Sequence, residues 1–222
     1  MIDFKENELI NNRLDTLYKK YDLEFIEEWQ KVFKDEPPKR LNAFGIINIH
    51  KYDMDNGILF ICRETNNWKN EDYSKGVLFR SWMCEMTENG LSDHAKRHPN
   101  MWYNIGRWAM LINSPETPIE EIASLKSEVI SCIGNIAFTN INKVRGKEQA
   151  ETEYNLLAKT PVAGEVLKRE IEIIKPKIIV CCGTGWVFDR NIKNYDGKVI
   201  YMPHPGARAN TENMLMKLKK QL

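Results

Sequence analysis

The chain has 222 residues, enough for one domain with a substantial core. Lys plus Arg number 32 against 31 Asp plus Glu. No global field therefore draws nucleic acid or a membrane surface, although a local basic groove stays open. There is no apolar run of about 18 residues to cross a bilayer, and the first residues lack the features of a signal peptide. Five cysteines, Cys62, Cys84, Cys132, Cys181 and Cys182, are odd in number, and three lie in strand-like apolar runs. They read as small buried hydrophobes in a reducing cytoplasm, with no disulfide framework.

In chain order, residues 5–34 carry apolar side chains at helical spacing: Leu14, Leu17, Tyr18, Tyr21, then Phe25, Ile26, Trp29, Val32 and Phe33. Asp22 predicts an N-cap between two helices, the second ended by Glu36-Pro37-Pro38. This region, 1–40, reads as a helical extension of an α/β core over 41–222. Phe44 to Ile49 suits a short edge strand, followed by a turn up to Gly57. Ile58 to Ile61 is a short apolar run that gives way abruptly to Arg63, Glu64, Thr65, Asn66 and Asn67. Such a run is a strand buried on both faces, with polar residues just past its carboxyl end. In open α/β sheets that end is where ligands bind, whereas capping of the next helix is the plainer role for Asn and Thr there.

From Trp68 to Asn113 the pattern is loop and then helix, with Trp102, Ile105, Trp108, Ala109 and Ile112 on one face. Pro118 opens a further helix through Cys132. His94 and His98 stand four apart, but no third ligand accompanies them and Pro99 interrupts the helix, so solvated or capping roles are expected and no metal. Asn135 to Asn140 is the second buried strand, ending in Thr139, Asn140, Asn142 and Lys143. Glu148–Tyr154 and Val162–Lys175 are helical, and Pro176 stops the second. Lys177 to Cys182 is the third strand, followed by the Gly183-Thr184-Gly185 turn, which is too short for a dinucleotide fingerprint. Lys198 to Met202 is the fourth, running into His204-Pro205-Gly206-Ala207-Arg208, with a basic helix from Asn210 to the end. Strands alternating with helices predict a three-layer α/β/α fold with four parallel strands. Glu64, Asn140 and His204 then share one sheet edge.

Four segments taken together, Phe60-Ile-Cys-Arg-Glu-Thr-Asn66, Thr139-Asn-Ile-Asn-Lys143, Ile174-Lys-Pro-Lys-Ile-Ile-Val-Cys-Cys-Gly183 and His204-Pro-Gly-Ala-Arg208, resemble the uracil-DNA glycosylase superfamily in order and spacing. The middle two are most similar to the bacterial branch that carries an iron–sulfur cluster. The resemblance spans Gly57 to Arg208. It implies a monomeric enzyme of DNA base excision repair acting on DNA that contains an altered base. Glu64 would orient water, Asn140 would read the base edge and His204 would donate to the base as it leaves. Phe79 would stack on the extruded base, Asn66 would lie at the position that screens base substituents, and Lys143 and Arg208 would meet the nucleic-acid backbone. The chemistry asks for these types in its own right. Breaking an N-glycosidic bond builds positive charge on the sugar and negative charge on the base, so a carboxylate and a hydrogen-bond donor on opposite sides both favour the transition state. A side-chain amide supplies a donor and an acceptor side by side for a Watson–Crick edge.

The chain departs from the family pattern at several places. Cys62 and Thr65 stand in place of Gly and Pro, Glu64 is one methylene longer than Asp, and Asn66 replaces a Tyr or Gly. No cysteine falls at the cluster-ligand positions, so no cofactor is expected. Gly206-Ala207-Arg208 lacks a bulky apolar wedge, and Arg208 is equally suited to filling the vacated base site or to holding a phosphate. Three readings follow: a base-releasing hydrolase, a nucleotide or nucleic-acid binding module of the same fold, and an enzyme acting on a smaller substrate.

Overall fold

The computed structural model describes residues 2–33, 40–63, 79–144 and 151–222. The first element, α1 (Phe4–Val32), is one continuous helix of 29 residues where the sequence predicts two. Nothing between Tyr21 and Leu23 breaks the ladder, and the Asp22 carboxylate accepts the backbone N–H of Leu41 at 2.7 Å instead of capping a helix. Asp3 caps the true start, accepting from the N–H groups of Lys5 and Glu6.

Five strands form one mixed sheet among the described residues. They are β1 (Gly45–Ile46), β2 (Ile58–Cys62), β3 (Ala137–Asn140), β4 (Ile178–Cys182) and β5 (Lys198–Met202), in the order β1-β3-β2-β4-β5. The four long strands are parallel, within two residues of the expected bounds. The fifth, β1, is antiparallel to β3, so the sheet has one strand more than the parallel core. It is the short edge strand expected within Phe44–Ile49, reduced to two residues. Every residue of β2 is buried, which is why its sequence is a continuous apolar run with no alternation.

The helices are α2 (Phe79–Asn89), α3 (Pro99–Asn113), α4 (Ile119–Ser124), α5 (Glu151–Leu157), α6 (Pro161–Ile174), α7 (Gly185–Asn191) and α8 (Thr211–Lys219). α6 has a Thr160 N-cap and Pro161 in its first turn, and it ends on Lys175 in the left-handed region at φ 50°, just before Pro176. α2 is a helix that the sequence reading leaves as loop. The helix expected from Pro118 to Cys132 is instead α4 followed by a 3-10 segment, Ser127–Asn135. The break falls at Leu125, whose carbonyl accepts from the Arg107 guanidinium at 3.0 Å.

Successive side chains of a strand point to opposite faces. Phe138 meets Phe79 of α2, and Phe60 meets Trp108 of α3, while Thr139 meets Glu170 of α6. The helices therefore form two layers, with α1 and α6 packed together on one face and α3 with α8 on the other. α1 is not peripheral to the core, since Leu14, Tyr18, Phe25 and Trp29 belong to the same buried cluster as β2. At the sheet's two margins a side-chain amide takes the place of a further strand. Ile46 N–H donates to Asn11 Oδ1 at 2.9 Å and Asn11 Nδ2 donates to Ile46 O at 3.0 Å. On the far side, Tyr201 N–H donates to Gln221 Oε1 at 2.9 Å and Gln221 Nε2 donates back to Tyr201 O at 3.3 Å.

Among the described residues no helix is long and apolar enough to cross a membrane.

Candidate functional site

The chain leaves β2 for β3 on one side and then returns past β2 to β4 on the other. The direction of winding reverses between β2 and β4, and a crevice at the carboxyl ends of such strands is the usual ligand site of an open α/β sheet. Two backbone bonds carry the β2–β3 ladder beyond its last residues. Ile141 N–H donates to Cys62 O and Asn142 N–H to Arg63 O, each at 2.9 Å. Arg63 and the residues after Asn140 are thereby fixed although they lie past the strands.

Asn140, opposite Cys62 in the register, is 2% exposed, and its Oδ1 has no hydrogen-bond partner among the described residues. A buried carbonyl oxygen without a donor costs about 1–3 kcal/mol, and such atoms are rare enough to need a reason. A ligand N–H would supply one. Phe138 lies two residues earlier on the same face of β3, and the Phe79 ring stacks on it at 5.9 Å. Phe79 is 5% exposed and also tilts against Phe44 and Trp82. It is held there by its neighbour Arg80, which chelates Asp15 at 2.8 and 2.6 Å and donates to Phe44 O at 3.1 Å. Phe79 is thus a packed aromatic close to Asn140, one side of its ring already taken by Phe138.

His204 follows β5. Its Nδ1 accepts the backbone N–H of Gly206 at 3.1 Å. An imidazole nitrogen that accepts carries no proton, so in the neutral ring the proton sits on Nε2, which is the donor. Burial, with the Arg63 charge beside it, holds its pKa down at about 4, and the ring is neutral at physiological pH. The loop is secured from α3, where Asn104 Nδ2 donates to Pro205 O at 2.7 Å and Arg107 donates to Asn104 Oδ1 at 3.3 Å. A Cβ at position 206 would come within 3.2 Å of His204 Nδ1, so glycine keeps that hydrogen bond open. Gly183 at the end of β4 has φ +73° and lies against the His204 backbone. Next to it, the Thr184 hydroxyl donates to Ile61 O at 2.8 Å. This turn brings the β5 loop over toward the end of β2, so that His204 is influenced by Arg63 although β4 lies between their strands.

Arg63 has no role assigned to it by the sequence. Its guanidinium lies over the Tyr154 ring, 4.4 Å from the centroid.

Lys143 departs from expectation. It does not face a nucleic-acid backbone, since its side chain is wholly buried and its ammonium donates to both carboxylate oxygens of Glu170 at 2.7 Å and to Thr139 Oγ1 at 2.6 Å. Glu170 Oε1 also accepts from Thr139 at 2.8 Å and from Tyr18 Oη at 2.5 Å. Burial pushes the Lys143 pKa down while Glu170 opposes the shift. The four side chains join α1, β3, the loop after β3 and α6 beneath Asn140. Arg208 is exposed. Glu64 and Asn66 lie outside the described residues.

Among the described residues no group of three or more His, Cys, Asp or Glu side chains is placed to hold a metal. Burial pushes the Cys181 thiol up to about 12. His98 directly precedes Pro99 at the start of α3, and His94 lies on the turn before it. Compared with known proteins, the chain matches no family model and no curated sequence.

Proposed function

We propose that this protein is a hydrolase of the uracil-DNA glycosylase type, which releases uracil or another altered base from nucleic acid by cleaving the N-glycosidic bond. The observation that carries the reading is the unpartnered, buried Oδ1 of Asn140 at the same sheet edge as His204, whose proton is confined to Nε2. Three strand spacings of about 4.8 Å separate β3 from β5, which leaves room for a planar ring between side chains reaching in from both. Asn140 Oδ1 accepts a ring N–H of the base, and His204 Nε2–H donates to the carbonyl oxygen on which negative charge develops. A neutral donor suits this role because it stabilises the anion without first surrendering its proton to the base. Glu64, taken from the sequence resemblance, orients water toward the anomeric carbon and offsets the positive charge of the sugar. Phe79 and Phe138 form the aromatic wall beside Asn140.

The test is a base-release assay on single- and double-stranded oligonucleotides carrying uracil, hypoxanthine or xanthine, with the free base measured directly. Release by the wild type is expected, with a loss of about a hundredfold for Glu64→Gln or His204→Ala, since one transition-state contact contributes about 3 kcal/mol. Tight binding of the oligonucleotides with no release would instead identify a binding module.

A further inference from the structure

The carboxyl ends of β2 and β4, the two strands between which the winding reverses, each finish in a cysteine. Ile61 is paired with Cys181 in the parallel register, so the next step of the ladder sets Cys62 beside Cys182. Residues at one level of adjacent parallel strands project from the same face of the sheet. Neighbouring strands lie about 4.7–4.9 Å apart, inside the Cα separation of about 4.4–6.8 Å that a disulfide spans. Cys62 and Cys182 are both 0% exposed, and a side-chain hydrogen bond joins their thiols. Both are free thiols.

The fold sets the other sulfurs apart. Cys181 is next to Cys182 in sequence, but successive strand residues point to opposite faces, and its thiol hydrogen-bonds with Thr184 instead. Cys84 lies on α2 and Cys132 on the 3-10 segment, and both are half-buried. Cys62 also stands opposite Asn140 in the β2–β3 register, and its carbonyl accepts the N–H of Ile141. The thiol pair therefore lies at the level of the sheet that carries Asn140.

We propose that Cys62 and Cys182 form a reversible disulfide site, at which a small peroxide oxidises the pair and joins β2 to β4. One sulfur, as its thiolate, attacks a peroxide oxygen; the O–O bond breaks, leaving a sulfenic acid and a hydroxide. The second sulfur then attacks the first, the S–O bond breaks, and a second hydroxide leaves. The protons of the two thiols turn both hydroxides into water, so the pair loses two electrons and the peroxide gains them. The surroundings favour this product. A disulfide is uncharged, whereas a lasting thiolate or a sulfinate would leave a charge out of reach of water. Burial holds the Cys182 thiol well above its ordinary range, so oxidation is slow at neutral pH and quickens as the pH rises. The thiol pair keeps this role whatever ligand the cleft takes.

The test is peptide mapping of the full chain by mass spectrometry after exposure to hydrogen peroxide in mildly alkaline buffer, with the remaining thiols alkylated in denaturant. A peptide pair linked through Cys62 and Cys182 is expected, exceeding any Cys62–Cys181 pair by at least about tenfold because Cys181 faces away. A thiol reductant should return both thiols. Cys62→Ala and Cys182→Ala should each abolish the link, and Cys181→Ala should keep it. Unlinked Cys62 and Cys182 once Cys84 and Cys132 have been oxidised would overturn the inference. So would Cys62–Cys181 and Cys62–Cys182 links in equal amounts, loss of the link in a folded Cys181→Ala, or a link that forms only after urea has unfolded the chain. If an alanine variant does not fold, the wild-type map decides alone.

Discussion

The Lys143 ammonium and the Glu170 carboxylate meet at 2.7 Å with both side chains wholly shielded from water. Their pairing fixes the loop after β3 against α6, directly beneath Asn140. Removing one partner of such a pair strands a charge, at a cost of about 3–5 kcal/mol. Lys143→Met should therefore lower stability by that amount in urea denaturation. The double variant Lys143→Met/Glu170→Gln removes both charges and keeps an acceptor for Tyr18 and Thr139. It should recover more than half of the loss. Equal instability of the single and double variants would show that the charges themselves contribute little.

His204 links stability to pH in a definite direction. Its folded pKa is lowered from 6.5 to about 4, so between those values the unfolded chain binds a proton that the folded chain refuses. Stability is then complete above about pH 6.5 and falls as the pH drops toward 4, by up to about 3 kcal/mol from this group. His204→Gln should flatten that part of the stability profile, read as urea midpoints at neutral pH and near pH 4. The activity profile of the wild type should show no inflection near 6.5 arising from His204. An imidazole that titrates at its ordinary value by NMR would refute both expectations.

Asn140 should display opposite effects on stability and activity. Its Oδ1 is buried without a donor among the described residues. Asn140→Leu replaces the amide with an apolar group of similar size and relieves about 1–3 kcal/mol of desolvation. The variant should be at least as stable as the wild type while base release falls by about a hundredfold or more. A marked loss of stability would mean that the amide has a structural role.

Gly183 tests the turn that carries His204 toward β2. At φ +73° an alanine costs about 1–2 kcal/mol, and its Cβ would lie 3.4 Å from the His204 backbone nitrogen. Gly183→Ala should lose stability by that amount and lose activity by a larger factor than stability alone explains. Gly90 is the control, because it has φ +80° and nothing within 4 Å of an added Cβ. Gly90→Ala should cost similar stability and leave activity unchanged.

The parallel strands were legible because each is an apolar run buried on both faces, bounded by Gly, Pro or polar residues. Asn140 and His204 were legible as polar residues at the ends of such runs. Lys143 was misplaced because a lysine past a strand end reads as a surface cation, and its partner Glu170 lies 27 residues on, in a helix, with nothing local to pair them. Asp22 resembles a cap for the same reason, its true partner Leu41 being 19 residues away. α2 escaped notice because its buried positions, Phe79, Met83, Met86 and Thr87, are interleaved with polar residues that blur the stripe.

The two amides at the sheet margins bear on how copies of this chain behave when crowded together. An outermost strand with vacant N–H and C=O groups is a template on which another chain can extend the sheet, the first step of domain exchange and of fibril growth. Asn11 and Gln221 each occupy one such N–H and C=O pair, at Ile46 and Tyr201, with a single side chain. Because β1 is only two residues long and Ile46 is the one whose backbone groups face away from β3, blocking Ile46 closes that margin. Asn11→Ala combined with Gln221→Ala should therefore leave a chain that folds yet self-associates edge to edge as its concentration rises, seen as growing light scattering with a gain in β signal. The single amides thus act as terminators of the sheet.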